Sequence, residues 1–187
     1  MDSKLQIISG QYKGRKLRLP PDARPTQNRA RIALFNMLES GVINKSTEMT
    51  VWDAFAGSGA FGLECISRYP NARVYFTDVA PTSIKTVRDN LMALGVDARG
   101  TVVQADAIGH AEKIAPNSDL IFIDAPYSTP ELGRALVLRI GRVAQPGTIL
   151  IWEQEAANAI APDESTWDTL RDKTYGRARF LILQKTQ

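Results

Sequence analysis

Five short apolar runs restrict this chain more than any other feature. They are "TVWDAF" from Thr50, "RVYFTD" from Arg73, "GTVVQAD" from Gly100, "DLIFIDAPY" from Asp119 and "GTILIWEQE" from Gly147. Helical patterns separate them: "AFGLECISRY", "APTSIKTVRDNLMALG", a short stretch near Ala107–Ile114, and one around Glu131–Val143. Strands alternating with helices at this spacing predict a mostly parallel sheet with helices on both faces. "TWDTLRDKTYGRARFLILQK" adds two strands around a turn at Gly176, a hairpin expected to supply an antiparallel edge strand. The expected fold is therefore α/β with seven strands.

The chain has 187 residues, enough for one core and a small appendage. A single cysteine, Cys65, rules out an internal disulfide and suits a reducing compartment. The first residues lack the apolar stretch of a signal peptide, and no run reaches the roughly 20 apolar residues of a membrane span. A cytoplasmic protein with no membrane partner is expected. Charge is unevenly spread. Residues 1–36 hold eight Lys and Arg against two acids, whereas the rest holds 15 basic and 18 acidic residues. A basic end of this kind suits a polyanion, although a solvated face has the same composition. "QIISGQYKGRKLRLP" alternates around Gly10 and Gly14 and predicts a β-hairpin. Pro20, Pro21 and Pro25 form a stiff connector. In "TQNRARIALFNMLES", Ile32, Leu34, Phe35 and Leu38 carry helical spacing. Residues 1–40 thus form a basic extension and residues 41–187 the main domain.

The turn after the first strand, Gly57-Ser58-Gly59-Ala60-Phe61-Gly62, fits G-x-G-x-x-G. Gly57 and Gly59 allow close backbone approach to a ligand, and the following helix start offers free N–H groups. A dinucleotide pyrophosphate is one such ligand. Asp53, four residues before Gly57, would repel it. An aspartate there suits a cation, such as the ammonium of S-adenosylmethionine, whose carboxylate would meet the helix start. Asp78 ends the second strand and can accept both ribose hydroxyls of either cofactor. Val79 beside it could pack on an adenine face. Asp106 ends the third strand and could accept from an adenine amine. It could equally cap the helix that follows.

Asp124-Ala125-Pro126-Tyr127 ends the fourth strand. In open α/β sheets ligands gather beyond the carboxyl ends of strands, where Asp53, Asp78, Asp106 and Asp124 all fall. Four like charges in one crevice do not serve stability. An acid before a Pro-aromatic turn suits a planar, amino-bearing substrate. The carboxylate accepts from the exocyclic amine, a main-chain carbonyl takes the second hydrogen, and Tyr127 stacks on the ring.

The order D-x-F-A-G-S-G, strand-end acid, then D-x-P-Y resembles the class I S-adenosylmethionine-dependent methyltransferases that modify exocyclic amines, marked by (N/D)-P-P-(Y/F). "IISGQYKGRKL", "RPTQNRARIALFNML" and "DAFAGSGAFGLECISR" narrow this to the RsmD family, which methylates N2 of a guanine in bacterial small-subunit ribosomal RNA. The resemblance implies a Rossmann-like fold. It also implies Asp124, Ala125, Pro126 and Tyr127 as catalytic residues. Asp53, Phe55, Ala56, Gly57, Ser58, Gly59, Asp78, Val79, Asp106 and Ala107 would form the cofactor site. Lys13, Arg15, Lys16, Arg18, Arg24, Arg29 and Arg31 would form the RNA grip. It further implies a monomer that acts on ribosomal RNA or an assembling small subunit and uses no metal. Three positions depart from the family pattern. Ala125 replaces the motif's first proline, Ile32 an acid, and Asp78 a frequent glutamate. His110, the only histidine, is read as a surface or packing residue and Cys65 as a core residue. Competing readings are a DNA adenine methyltransferase, an NAD-dependent oxidoreductase drawn from G-x-G-x-x-G, and a non-catalytic RNA-binding module.

Overall fold

A computed structural model describes residues 5–21 and 28–186. Arg24 and Pro25 lie outside them. Twelve main elements follow in order: α1 (Asn28–Glu39), β1 (Met49–Asp53), α2 (Ala60–Arg68), β2 (Ala72–Asp78), α3 (Pro81–Leu94), β3 (Gly100–Gln104), α4 (Ala107–Ile114), β4 (Leu120–Asp124), α5 (Pro130–Val143), β5 (Ile149–Glu155), β6 (Trp167–Tyr175) and β7 (Ala178–Lys185). The sheet order is β3-β2-β1-β4-β5-β7-β6. The first five strands are mutually parallel, and β7 is antiparallel to both of its neighbours. The antiparallel strand is therefore internal, not at the edge as expected, and β6 takes the edge. Side chains explain the order. β7 carries Phe180, Leu181, Ile182 and Leu183, all buried, whereas β6 is largely exposed after Trp167. The more apolar strand takes the position covered on both faces.

Strand alternation divides the interior into two layers. Val51, Phe76, Phe122, Ile151 and Ile182 face α1, α2 and α3. Trp52, Ile121, Ile123, Leu150, Trp152 and Leu183 face α4 and α5. Leu5, Ile7 and Leu17 of the N-terminal segment and Leu34, Phe35 and Leu38 of α1 join the first layer. The basic extension thus packs into the same core as the sheet.

The expected hairpin forms in short, with an antiparallel bridge from Gln6 to Lys16. The amides of Ile7 and Leu17 donate across it to the Arg15 (3.0 Å) and Leu5 (2.9 Å) carbonyls, and that of Gly14 to the Ile7 carbonyl (2.9 Å), while its other donors reach α2. The amides of Ile8 and Ser9 donate to the Glu64 carboxylate at 2.8 and 2.9 Å. Those of Gln11 and Tyr12 donate to the Ser67 carbonyl and hydroxyl at 2.8 and 3.0 Å. Gly10 fits here with φ 85°, because a Cβ would sit 2.0 Å from the Ser67 carbonyl oxygen. The segment is both paired across itself and docked onto α2.

Candidate active site

Register fixes which way the strand-end acids point. Asp53 is paired with Phe76 on β2 and Phe122 on β4. Asp78 and Asp124 lie two residues beyond those partners, and Glu153 is paired with Asp124. Paired residues in parallel strands share a face, as do residues two apart. Asp53, Asp78, Asp124 and Glu153 therefore all project toward the α1–α3 side at the carboxyl ends of their strands.

Asp53, Phe55, Ala56, Gly57, Ser58, Asp124 and Glu153 line one cleft of about 160 Å³. Ala125, Pro126 and Tyr127 line an adjoining recess, and Glu153 borders both. Asp78 stands outside this cleft but is bound to the turn. Its carboxylate accepts from the Gly57 amide (2.9 Å) and the Ala80 amide (2.9 Å). Val79 beside it is 65% exposed, open for packing on a ligand. Asp106 caps α4, accepting from the amides of Ile108 (3.3 Å) and Gly109 (2.9 Å), so its structural role is realised. Ala107 is the buried first residue of that helix.

The turn is held in a conformation suited to glycine. Gly57 has φ 54° and Gly59 φ 77°. A Cβ at Gly57 would meet open space, leaving room for a ligand. Gly62 differs, since a Cβ there would lie 2.3 Å from the Phe76 ring, so this glycine lets α2 pack on β2.

The acids are electrostatically uncomfortable. Asp53 is 1% exposed, and its carboxylate accepts from the Gly62 amide at 3.1 Å. Burial pushes its carboxyl well above the usual range, the charges of Asp124 and Asp78 add to this, and the amide bond only partly offsets them. Burial pushes Asp124 up to about 6. Burial and the neighbouring Asp124 push Glu153 up to about 8. The Tyr127 hydroxyl donates to Glu153 Oε1 at 3.0 Å, and burial together with that carboxylate raises the phenol. Asp53, Asp124 and Glu153 take part in no salt bridge among the described residues. Arg31 also lines this cleft, so the three acids share it with one buried guanidinium.

Arg31, expected on the RNA surface, is 4% exposed and corrects that reading. Its Nη2 donates to the Gln6 carbonyl (2.8 Å) and to Glu64 (3.1 Å). Glu64 is fully buried and also binds Arg68 Nε at 2.7 Å, while Arg68 bridges to Glu39 at 3.1 Å. Arg31 faces inward because a carboxylate 33 residues away receives it. Lys13, Arg15, Lys16, Arg18 and Arg29 are exposed. Arg15 donates to the Ala93 carbonyl (2.8 Å) and Arg18 bridges to Asp89 (3.1 Å), which anchors part of the basic surface on α3. Glu153 was not singled out from the sequence. The available signal was an acid closing an apolar strand, as at Asp53, Asp78 and Asp124.

Among the described residues, no group of three or more His, Cys, Asp and Glu side chains is placed to hold a metal ion. No helix among them is long and apolar enough to cross a membrane.

Known proteins match the chain over nearly its whole length. It is 29% identical over 185 residues to the Ribosomal RNA small subunit methyltransferase D of Escherichia coli K12, covering 97% of this chain and 90% of that protein. The protein of the same name from Buchnera aphidicola (strain Bp) is 29% identical over 173 residues, covering 90% and 86%. The solved structure of the E. coli protein yhhF superposes with a TM-score of 0.80 at 27% identity, covering 97% of each chain. An RNA methyltransferase from Salinibacter ruber, in complex with S-adenosyl-L-homocysteine, shares the fold with a TM-score of 0.66 at 16% identity, covering 88% of this chain and 95% of that one. The family profile described as conserved hypothetical protein 95 matches residues 5–184, and the chain belongs to that family, the RsmD family its motifs resemble.

Proposed function

We propose that this protein transfers a methyl group from S-adenosylmethionine to the exocyclic N2 of a guanine in small-subunit ribosomal RNA. The observation that carries this reading is the shared cleft. Asp124 stands on the same sheet face as Asp53 and the glycine turn, with Tyr127 at its rim. The relatives named as ribosomal RNA methyltransferases support the substrate class.

The cofactor supplies a methyl group already activated on a sulfonium, so little acid–base power is asked of the protein. Asp53 would hold the ammonium, Asp78 the ribose hydroxyls, and Val79 an adenine face. Phe55, Ala56, Ser58 and Gly59 would shape the pocket around them. Asp124 and the Ala125 carbonyl would orient the two N2 hydrogens, leaving the nitrogen lone pair free to point at the methyl. Hydrogen bonds that favour a pyramidal nitrogen take up its developing positive charge. N2 would gain a methyl and give up one proton, which Asp124 would accept. The base must leave its stack to enter the cleft, and Tyr127 offers a new stacking surface. Lys13, Arg15, Lys16, Arg18 and Arg29 would contact phosphates, so RNA affinity should fall steeply with salt. The expected setting is cytoplasmic, with the protein acting as a monomer on ribosomal RNA or an assembling subunit.

Asp124→Ala tests the assignment. Methylation of small-subunit RNA should fall at least about 1,000-fold, while calorimetry shows S-adenosylhomocysteine binding retained. A variant that keeps its turnover overturns the role of Asp124.

A further inference from the structure

Asp124 and Glu153 are opposite one another in the β4–β5 register and face the same cleft. The Tyr127 hydroxyl occupies Glu153 Oε1. Glu153 Oε2 and both oxygens of Asp124 accept no hydrogen bond among the described residues. Two adjacent side chains therefore present unspent acceptors to one cleft. Their natural complement is a ligand edge with adjacent donors and no acceptor between them.

Among the amino-bearing bases, guanine presents that edge. Its N2 amine lies next to N1–H, so three N–H hydrogens stand in a row. In adenine and cytosine the amine lies next to a bare ring nitrogen, whose lone pair would face a carboxylate. Resting on the guanine-N2 reading, we propose that Glu153 is a specificity-determining residue that accepts the N1–H of the target guanine while Asp124 accepts from its N2 amine. Tyr127 then has two tasks. Its ring lines the recess beside the base, and its hydroxyl fixes the rotamer of Glu153 so that Oε2 faces the base. Glu153 accepts as the carboxylate, so a proton that burial favours on it in the free cleft leaves to solvent when the guanine docks.

The test compares two bases at the mapped target position of a small-subunit RNA fragment. One is guanine. The other is 2-aminopurine, which keeps the N2 amine but has no N1–H. The wild-type protein should prefer guanine by about 10- to 100-fold in kcat/KM, because 2-aminopurine leaves the Glu153 acceptor unpaired. In Glu153→Leu the preference should fall to within about threefold, mainly through loss of guanine methylation. Glu153→Gln, closest in shape, guards against misfolding. Tyr127 still donates to Oε1, so the amide N–H₂ faces the ring and the preference should fall as far or further. S-adenosylhomocysteine affinity should match wild type in both variants, which a general collapse of the site would not allow. An undiminished guanine preference in the folded variants overturns the role of Glu153 while leaving guanine-N2 methylation intact, as does a wild type that does not discriminate. Methylation of neither base by the wild type overturns the guanine-N2 reading and this inference together.

Discussion

Two acid-rich regions of the molecule are built on opposite rules. In the first, Glu64 and Glu39 are matched by Arg31, Arg68 and Lys45 and by the amides of Ile8 and Ser9. In the second, Asp53, Asp124 and Glu153 share a cleft that Arg31 also lines, and none of these three acids takes part in a salt bridge among the described residues. The first arrangement makes each buried charge depend on its neighbours, so it locks the N-terminal segment to the domain. The second leaves three acids facing one another without an ion-pair partner, a cost to the fold. Paired charge marks structure here, and acids without a salt-bridge partner mark the candidate site.

The contrast can be broken in several ways. The largest expected effect is on the paired side. Glu64→Ala strands Arg31 and Arg68 and two backbone amides, and should cost about 3–5 kcal/mol in urea unfolding. A loss below about 1 kcal/mol would show that the cluster does not hold the fold. On the unpaired side, Asp53→Asn should weaken S-adenosylmethionine binding by on the order of tenfold or more, measured by calorimetry. Its melting temperature should stay level or rise, since Asn can still accept from Gly62 while shedding a buried charge. Equal affinity in the variant would remove Asp53 from the cofactor site.

A smaller effect has a defined pH window. Burial and the neighbouring Asp124 push Glu153 up to about 8 in the folded protein, against about 4.3 for a free glutamate, so the folded state binds the extra proton between these values. Stability from this group is complete below the unfolded value and declines as pH rises through the window. Glu153→Gln should therefore raise the melting temperature by roughly 2–4 °C near pH 8, with little change near pH 4.5. A gain independent of pH would point to packing instead. The smallest stability effect belongs to the basic face. Lys13→Ala with Lys16→Ala should leave melting within about 1 °C, yet weaken RNA binding several-fold and flatten its salt dependence. Unchanged salt dependence would move the RNA contact elsewhere.

Most of the framework was legible in the sequence because its signals are local. Apolar runs of strand length, helical spacing between them and acids at their ends sit within a few residues of the features they predict. What escaped depended on distant partners. Arg31 occupies the first turn of a basic helix and reads as surface until Glu64 draws it inward. The hairpin was legible, but its docking on α2 through Glu64 and Ser67 has no local signal. Residues 167–185 read as a hairpin, but which of its strands meets β5 is decided by the burial of Phe180 and Ile182. Glu153 lacked a turn motif like the one after Asp124, and only the register of β4 with β5 shows the two acids to be neighbours.

Asn90 on α3 fastens the basic segment to the glycine turn. Its amide nitrogen donates to the Arg18 carbonyl (3.1 Å) and the Ser58 carbonyl (3.0 Å), and its oxygen accepts from the Arg18 amide (2.8 Å). One side chain thus rivets the basic segment to the glycine turn. A tug on the backbone at residue 18 reaches the peptide between Ser58 and Gly59 through a single amide, so neither segment can relax without the other. Were ligands to bind at both segments, linkage would require any influence of one on the other's affinity to run equally in both directions.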